Sequence, residues 1–184
     1  VIGMIMLTGT LNLRELVAWQ ADGTLFSVLP RWGIFYQPLG FLIFLVAIYA
    51  ETNRTPFDIP EGESEIVAGY FTEYSSMKFS MYFMGEYVAM AVWSAVIVTL
   101  FFGGYELPWL TTDRLYGLTG ALFGALIQFG VFLAKMAVFL FLFVWVRWTL
   151  PRFRYDQLMA LGWKVLVPLG LFNVALTGVL MVLF

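Results

Sequence analysis

Long apolar runs alternate with short polar ones along this chain, and the lengths of the runs predict helices that cross a bilayer. Residues 33–50, "GIFYQPLGFLIFLVAIYA", form an 18-residue run, close to the minimum of about 17–25 residues for a crossing. Residues 79–103 carry one charge, Glu86, and residues 118–146 carry one, Lys135. Residues 162–184 open on "GWK" and stay apolar to the end. Residues 1–7 read as the tail of a preceding span, so the chain is expected to be the later part of a longer polypeptide. The expected fold is all-α: a polytopic transmembrane helix bundle of about four full spans plus the end of an earlier one. A single membrane domain covers 1–184, with a long structured acidic cytoplasmic loop at 51–78 and a second cytoplasmic loop at 147–161.

Composition strengthens this picture. The chain is 61% hydrophobic and only 12% charged, with a mean hydropathy of +0.86; that is about half the charge of an ordinary soluble domain. A net charge of −2 with no basic tract excludes nucleic acid as a partner. Cysteine and histidine are both absent, which removes disulfides, thiolate chemistry and the usual zinc, haem and iron–sulfur ligands from this chain. Membrane lipid is the partner that the surface demands. Basic residues then set the orientation. One side holds Arg54, Lys78, Arg147, Arg152, Arg154 and Lys164, the other Arg14, Arg31 and Arg114. The richer side is the cytoplasm, or the matrix in a mitochondrion.

The stretch "ETNRTPFDIPEGESEIVAGYFTEY", 51–74, puts six carboxylates and one arginine between two apolar runs. Pro56 and Pro60 make 55–60 an extended or turning link. Pro60 suits the first position of a helix, with Glu61 and Glu63 near its positive end. Glu61 and Glu65 then share a face, where like charges repel and proton sharing is the relief. A solvated loop is the plain alternative, but Phe57, Ile59, Ile66, Val67, Tyr70 and Phe71 interleave with the acids. The segment is expected to pack on the mouth of the bundle, with Arg54 pairing to Asp58 or another nearby acid.

Glu86, about two turns into its span, must be paired, protonated or turned to a wet interior, because an ionised unpaired carboxylate near lipid is costly. Lys135 poses the same problem. A structural pair between them is one reading and a proton or ion relay the other, with Glu51 extending the line. Gly120 and Gly124 in "GALFG" offer a surface for close helix approach, widened by Ala121, Ala125 and Gln128. Asn173 and Thr177, four apart, suit bonds between helices.

The segment "AETNRTPFDIPEGESEIVAGYFTEYSSMKFSMYFMGEY", 50–87, resembles the signature of the H-subunit family of respiratory NADH-quinone oxidoreductases (complex I), whose mitochondrial counterpart is NADH dehydrogenase subunit 1. "LPRFRYDQLMALGWKVLVPL", 150–169, is similar to the family's second conserved region. The likeness covers essentially the whole chain, as the C-terminal half of a family member. It implies a non-redox subunit at the heel of the membrane arm that forms part of the quinone chamber and couples quinone reduction to proton translocation through a file of buried glutamates. The proton-coupling positions it implies are Glu51, Asp58, Glu61, Glu63, Glu65, Glu86 and Lys135. Arg54, Phe57 and Asp58 match the quinone-chamber loop, and Arg152, Arg154, Tyr155 and Asp156 match the second cytoplasmic loop.

No cofactor is expected on this chain. Quinone is the substrate, while FMN and the iron–sulfur clusters belong to partner subunits of the membrane and peripheral arms. The implied location is the bacterial cytoplasmic (inner) membrane, or the mitochondrial inner membrane in a eukaryote. Rival readings are the equivalent subunit of a membrane hydrogenase or ferredoxin-linked complex, a stand-alone ion-coupled transporter, and a structural membrane anchor.

Overall fold

The computed structural model describes residues 1–22, 24, 25, 29–58, 77–108, 110 and 112–183. Nine α-helices are found among them. Helix α1 (Ile2–Thr8) is followed by α2 (Leu13–Ala21), which Asn12 caps by accepting from the Arg14 N–H. A two-residue antiparallel ribbon, β1 (Thr24–Leu25) with β2 (Leu29–Pro30), leads to α3 (Gly33–Tyr36) and α4 (Pro38–Glu51). Then come α5 (Met77–Phe101), α6 (Thr112–Thr119), α7 (Ala121–Thr149), α8 (Tyr155–Ala160) and α9 (Val167–Leu183). A π-helical run, Leu161–Leu166, joins the last two into one continuous rod.

Three rods, Met77–Phe101, Ala121–Thr149 and Tyr155–Leu183, are long and apolar enough to cross a membrane, and Pro38–Glu51 is a shorter apolar helix. The molecule is a helical membrane bundle. The run expected as one span over 33–50 is in fact two helices. Gln37 adopts φ −134° and ψ 63°, because the ring of Pro38 excludes the helical region for the residue before it and then starts a new helix itself. The second connection is also shorter than 147–161. Helix α7 runs on to Thr149 and α8 begins at Tyr155, so only 150–154 lie between helices.

Helix α5 packs along α7, α6 folds back on α7, α1 and α4 lie against α9, and α2 crosses α5. The core joins α4, α5 and α7 through Ile48, Tyr49, Met90, Ile97, Val98, Phe139 and Phe143, and Phe57 from the turn after α4 belongs to it. The close approach expected at the small residues of α7 is made by α6. The Tyr116 ring lies where a side chain at Gly124 would stand.

Polar side chains bind the rods together where lipid offers no alternative partner. Gln20, 2% exposed, accepts from the Gly33 and Gly103 N–H groups at 3.0 Å each and donates to the Thr99 carbonyl at 3.0 Å. Gln37 donates to Thr177 Oγ1 at 2.8 Å and accepts from Asn173 at 3.4 Å. The bonds expected of Asn173 and Thr177 are thus made to the break between α3 and α4. Thr177→Val should cost about 0.6 kcal/mol, the average for such bonds in membrane bundles, and no more than about 1.7 kcal/mol. Thermal unfolding in detergent checks this.

Candidate functional site

The turn after α4 is built to bury an arginine. Thr52 turns its hydroxyl back to the Ile48 carbonyl at 3.0 Å, and Asn53 takes φ 47°, a left-handed conformation that asparagine tolerates. The reversal brings Arg54 and Phe57 inward, 7% and 6% exposed, with the Phe57 N–H on the Arg54 carbonyl at 2.8 Å. Arg54 Nη2 lies 3.3 Å from Glu86 Oε2 on α5, and its guanidinium carbon stands 4.9 Å from the centre of the Tyr87 ring. Both charged side chains are largely withdrawn from solvent. The apolar surroundings that make Glu86 costly alone make this attraction strong.

Four residues on, Asp58 Oδ2 meets Arg152 Nη2 at 3.3 Å. The Phe153 N–H donates to the Pro56 carbonyl at 3.0 Å, and the Phe57 and Phe153 rings stand 5.5 Å apart. The turn at 52–58 is therefore strapped to the link between α7 and α8 by charge, backbone and ring contact. Arg154 starts α8, its N–H on Gln157 Oε1 at 3.2 Å.

At the far end of α5 lies a second polar centre. Lys135 Nζ donates to the carbonyls of Phe102, Gly104 and Glu106 at 2.8, 3.0 and 2.7 Å, and stands 5.3 Å from the Trp32 ring centre. An ammonium has three N–H donors, and all are used on the turn that ends α5. Glu106 is 6% exposed, and its Oε1 accepts from the Thr112 hydroxyl. Gln128 donates to that hydroxyl at 2.9 Å and accepts from Tyr116 at 2.9 Å.

The sequence model of the family described as NADH dehydrogenase matches residues 1–178. The chain belongs to the NADH dehydrogenase family. The NADH-quinone oxidoreductase H subunit 1 of Cytophaga hutchinsonii is 48% identical over 184 residues, which is 100% of this chain and 51% of that protein. NADH-quinone oxidoreductase subunit 8 of Rhodothermus marinus is 50% identical over 186 residues, 100% of this chain and 54% of that protein. The NADH-quinone oxidoreductase H subunit of Salinibacter ruber is 49% identical over 188 residues, covering 100% and 53%. The chain spans about half the length of these relatives.

In this member of the NADH dehydrogenase family, Arg54, Phe57, Asp58, Glu86 and Arg152 come together where the 52–58 turn meets α5 and the α7–α8 link. Glu51 is exposed at the end of α4, and Arg154, Tyr155 and Asp156 are exposed at the start of α8. Glu61, Glu63 and Glu65 lie outside the described residues. Glu86 and Lys135 do not pair: the first meets Arg54, and the second is held by carbonyls beyond the opposite end of α5. The 15 residues from Glu86 to Phe101 span roughly 22 Å of helix. Sequence reasoning misses Glu106, Gln20 and Gln37. The signal for Glu106 is a carboxylate inside the otherwise apolar "GGYELPWL".

Proposed function

We propose that this chain serves in the membrane arm of a proton-translocating NADH-quinone oxidoreductase, as the part of the H subunit that forms the inner end of the quinone chamber. In this reading it couples quinone reduction to proton translocation. The Arg54–Glu86 contact carries the proposal, because it ties the acid-rich segment to a carboxylate inside a long apolar helix. Quinone reduction takes up two electrons and two protons. Electrons arrive from FMN and iron–sulfur clusters of partner subunits, while this chain supplies shape, fixed charge and protonation.

Each side chain then has a task. Arg54 offers a planar fork of donors beside the polar end of the chamber, and Phe57 gives an apolar wall. Asp58, locked to Arg152, fixes the turn that presents them. Glu51, Glu61, Glu63 and Glu65 are the acids assigned to respond as charge enters or leaves the chamber. Glu86 receives that change through Arg54, whose guanidinium it meets. Arg154, Tyr155 and Asp156 face the peripheral arm. The basic-residue balance orients the 51–58 side toward the cytoplasm, in a bacterial inner membrane.

Arg54→Lys tests this reading. Lysine keeps the charge but lacks the planar guanidinium that stands beside Glu86 and over Tyr87. Quinone-dependent NADH oxidation per assembled complex is expected to fall about tenfold, equal to about 1.4 kcal/mol in a barrier, with native-gel amounts changing less. Unchanged activity per complex would remove Arg54 from the chamber.

A further inference from the structure

We propose that Glu106 is a proton-binding site, reached by water from the end of the bundle opposite the Arg54–Glu86 pair. The proposal stands apart from the quinone-chamber reading and needs only that the bundle crosses a membrane. Glu106 follows the end of α5, and Arg54 and Glu86 lie near its start.

Three observations converge on this carboxyl. First, it is buried, and its Oε2 has no hydrogen-bond partner among the described residues. A buried carboxylate oxygen without a donor is costly, and a proton removes that cost. Second, the hydrogen-bond chain runs one way: Tyr116 donates to Gln128, Gln128 to Thr112, and Thr112 to Glu106 Oε1. Every donor points toward the carboxyl, which is fixed at the end of the chain with one oxygen left open. Third, the Lys135 ammonium interacts with this carboxyl through space yet leaves Oε2 without a hydrogen bond. Lys135 spends its three N–H groups on backbone carbonyls, including that of Glu106 itself, and makes no contact pair with the side chain.

Access comes from an open cleft of about 450 Å³ lined by Arg14, Tyr105, Thr112, Tyr116 and Gln128. Thr112 belongs both to the cleft wall and to the carboxyl's bond. The volume holds several waters at roughly 30 Å³ each. A proton carried inward from that water converts the carboxylate to a neutral carboxylic acid as hydronium becomes water, and the reverse step returns it; no electron moves. The charged and titratable groups around the site are Arg14 from α2, Tyr105 from the turn, Tyr116 from α6 and Lys135 from α7, while Asp113 and Arg114 of α6 are exposed.

The test is infrared difference spectroscopy of the assembled complex carrying the full-length subunit, recorded against pH in H₂O and D₂O. The unmodified complex is expected to gain a carboxylic-acid C=O band on acidification that shifts in D₂O. Glu106→Gln should lose that one band. Thr112→Val, which removes the donor to Oε1, should keep the band and shift it to higher frequency. A spectrum unchanged in Glu106→Gln overturns the proposal. If that variant fails to assemble, Thr112→Val decides, and an unshifted band overturns it. In oriented proteoliposomes the band should follow the pH of the compartment facing residues 102–106; a response only to the opposite compartment refutes the access route.

Discussion

Glu86→Gln should leave the complex assembled and lower its coupled turnover about tenfold or more, equal to at least about 1.4 kcal/mol in the barrier. Arg54 and Glu86 side chains are 9% and 15% exposed and 3.3 Å apart. Removing one partner of a buried pair costs about 3–5 kcal/mol, because the other charge stays behind without compensation. Glutamine retains an oxygen for the guanidinium, so the stability loss should sit at or below the low end of that range. What it cannot do is change protonation. The double variant Arg54→Gln with Glu86→Gln removes both charges and should regain most of the lost stability without regaining turnover. Proton pumping and quinone reduction in proteoliposomes, normalised to assembled complex, separate the two effects. Normal pumping by the single variant would make Glu86 a static counter-ion to Arg54 and nothing more.

Lys135→Met is expected to act on folding instead. Methionine fills the space of the lysine stem but strands the carbonyls of Phe102, Gly104 and Glu106, which close the turn at the end of α5. Each bond to a charged donor is worth about 1.5–3 kcal/mol, so loss of all three should exceed about 4 kcal/mol. Lys135→Arg should rescue little, since a planar fork cannot send three donors from one nitrogen to three converging carbonyls. Native-gel yield and the thermal midpoint of the complex are the readouts. A Lys135→Met complex that assembles at normal levels but fails to pump would reverse the assignment and make the ammonium a relay.

Much of the bundle is legible in the sequence because long apolar intervals leave a chain few choices. The spans expected at 79–103 and 118–146 fall within a few residues of α5 and α7. The 33–50 run fails for a local reason. Hydropathy averages over Gln37 and Pro38, while the backbone answers to the proline ring, and the freed glutamine side chain then finds Asn173 and Thr177. The link at 150–154 looks longer in sequence because Arg147, Arg152 and Arg154 resemble loop residues. Helix α7 nonetheless carries Arg147 in its last turn, where a cation suits the helix end.

Partners are harder to read than positions. Glu86 and Lys135 both stand out as misfits in one sequence, which makes each the obvious partner for the other. Arg54 lies 32 positions before Glu86 and Glu106 lies 29 before Lys135, and no periodicity reaches across such intervals. Proximity in sequence favours Asp58 for Arg54, but the turn points Arg54 to α5 and Asp58 to the link between α7 and α8. Glu106 escapes notice because a carboxylate between spans looks solvated until α6 is seen folded over it.

The wide turn at Leu161–Leu166 has a consequence for the rod that contains it. A π segment carries an extra residue relative to an α-helix of the same rise, so it advances the phase of everything beyond it by about 100°. That offset lets one rod satisfy two unrelated demands: Gln157 stays on the Arg154 N–H, while Asn173 and Thr177 stay on Gln37. Tightening the run to ordinary helical pitch would swing Asn173 and Thr177 off Gln37 while moving the ends of the rod only slightly. The π run thus decides which side chains of the rod face protein, with little effect on how far the helix reaches.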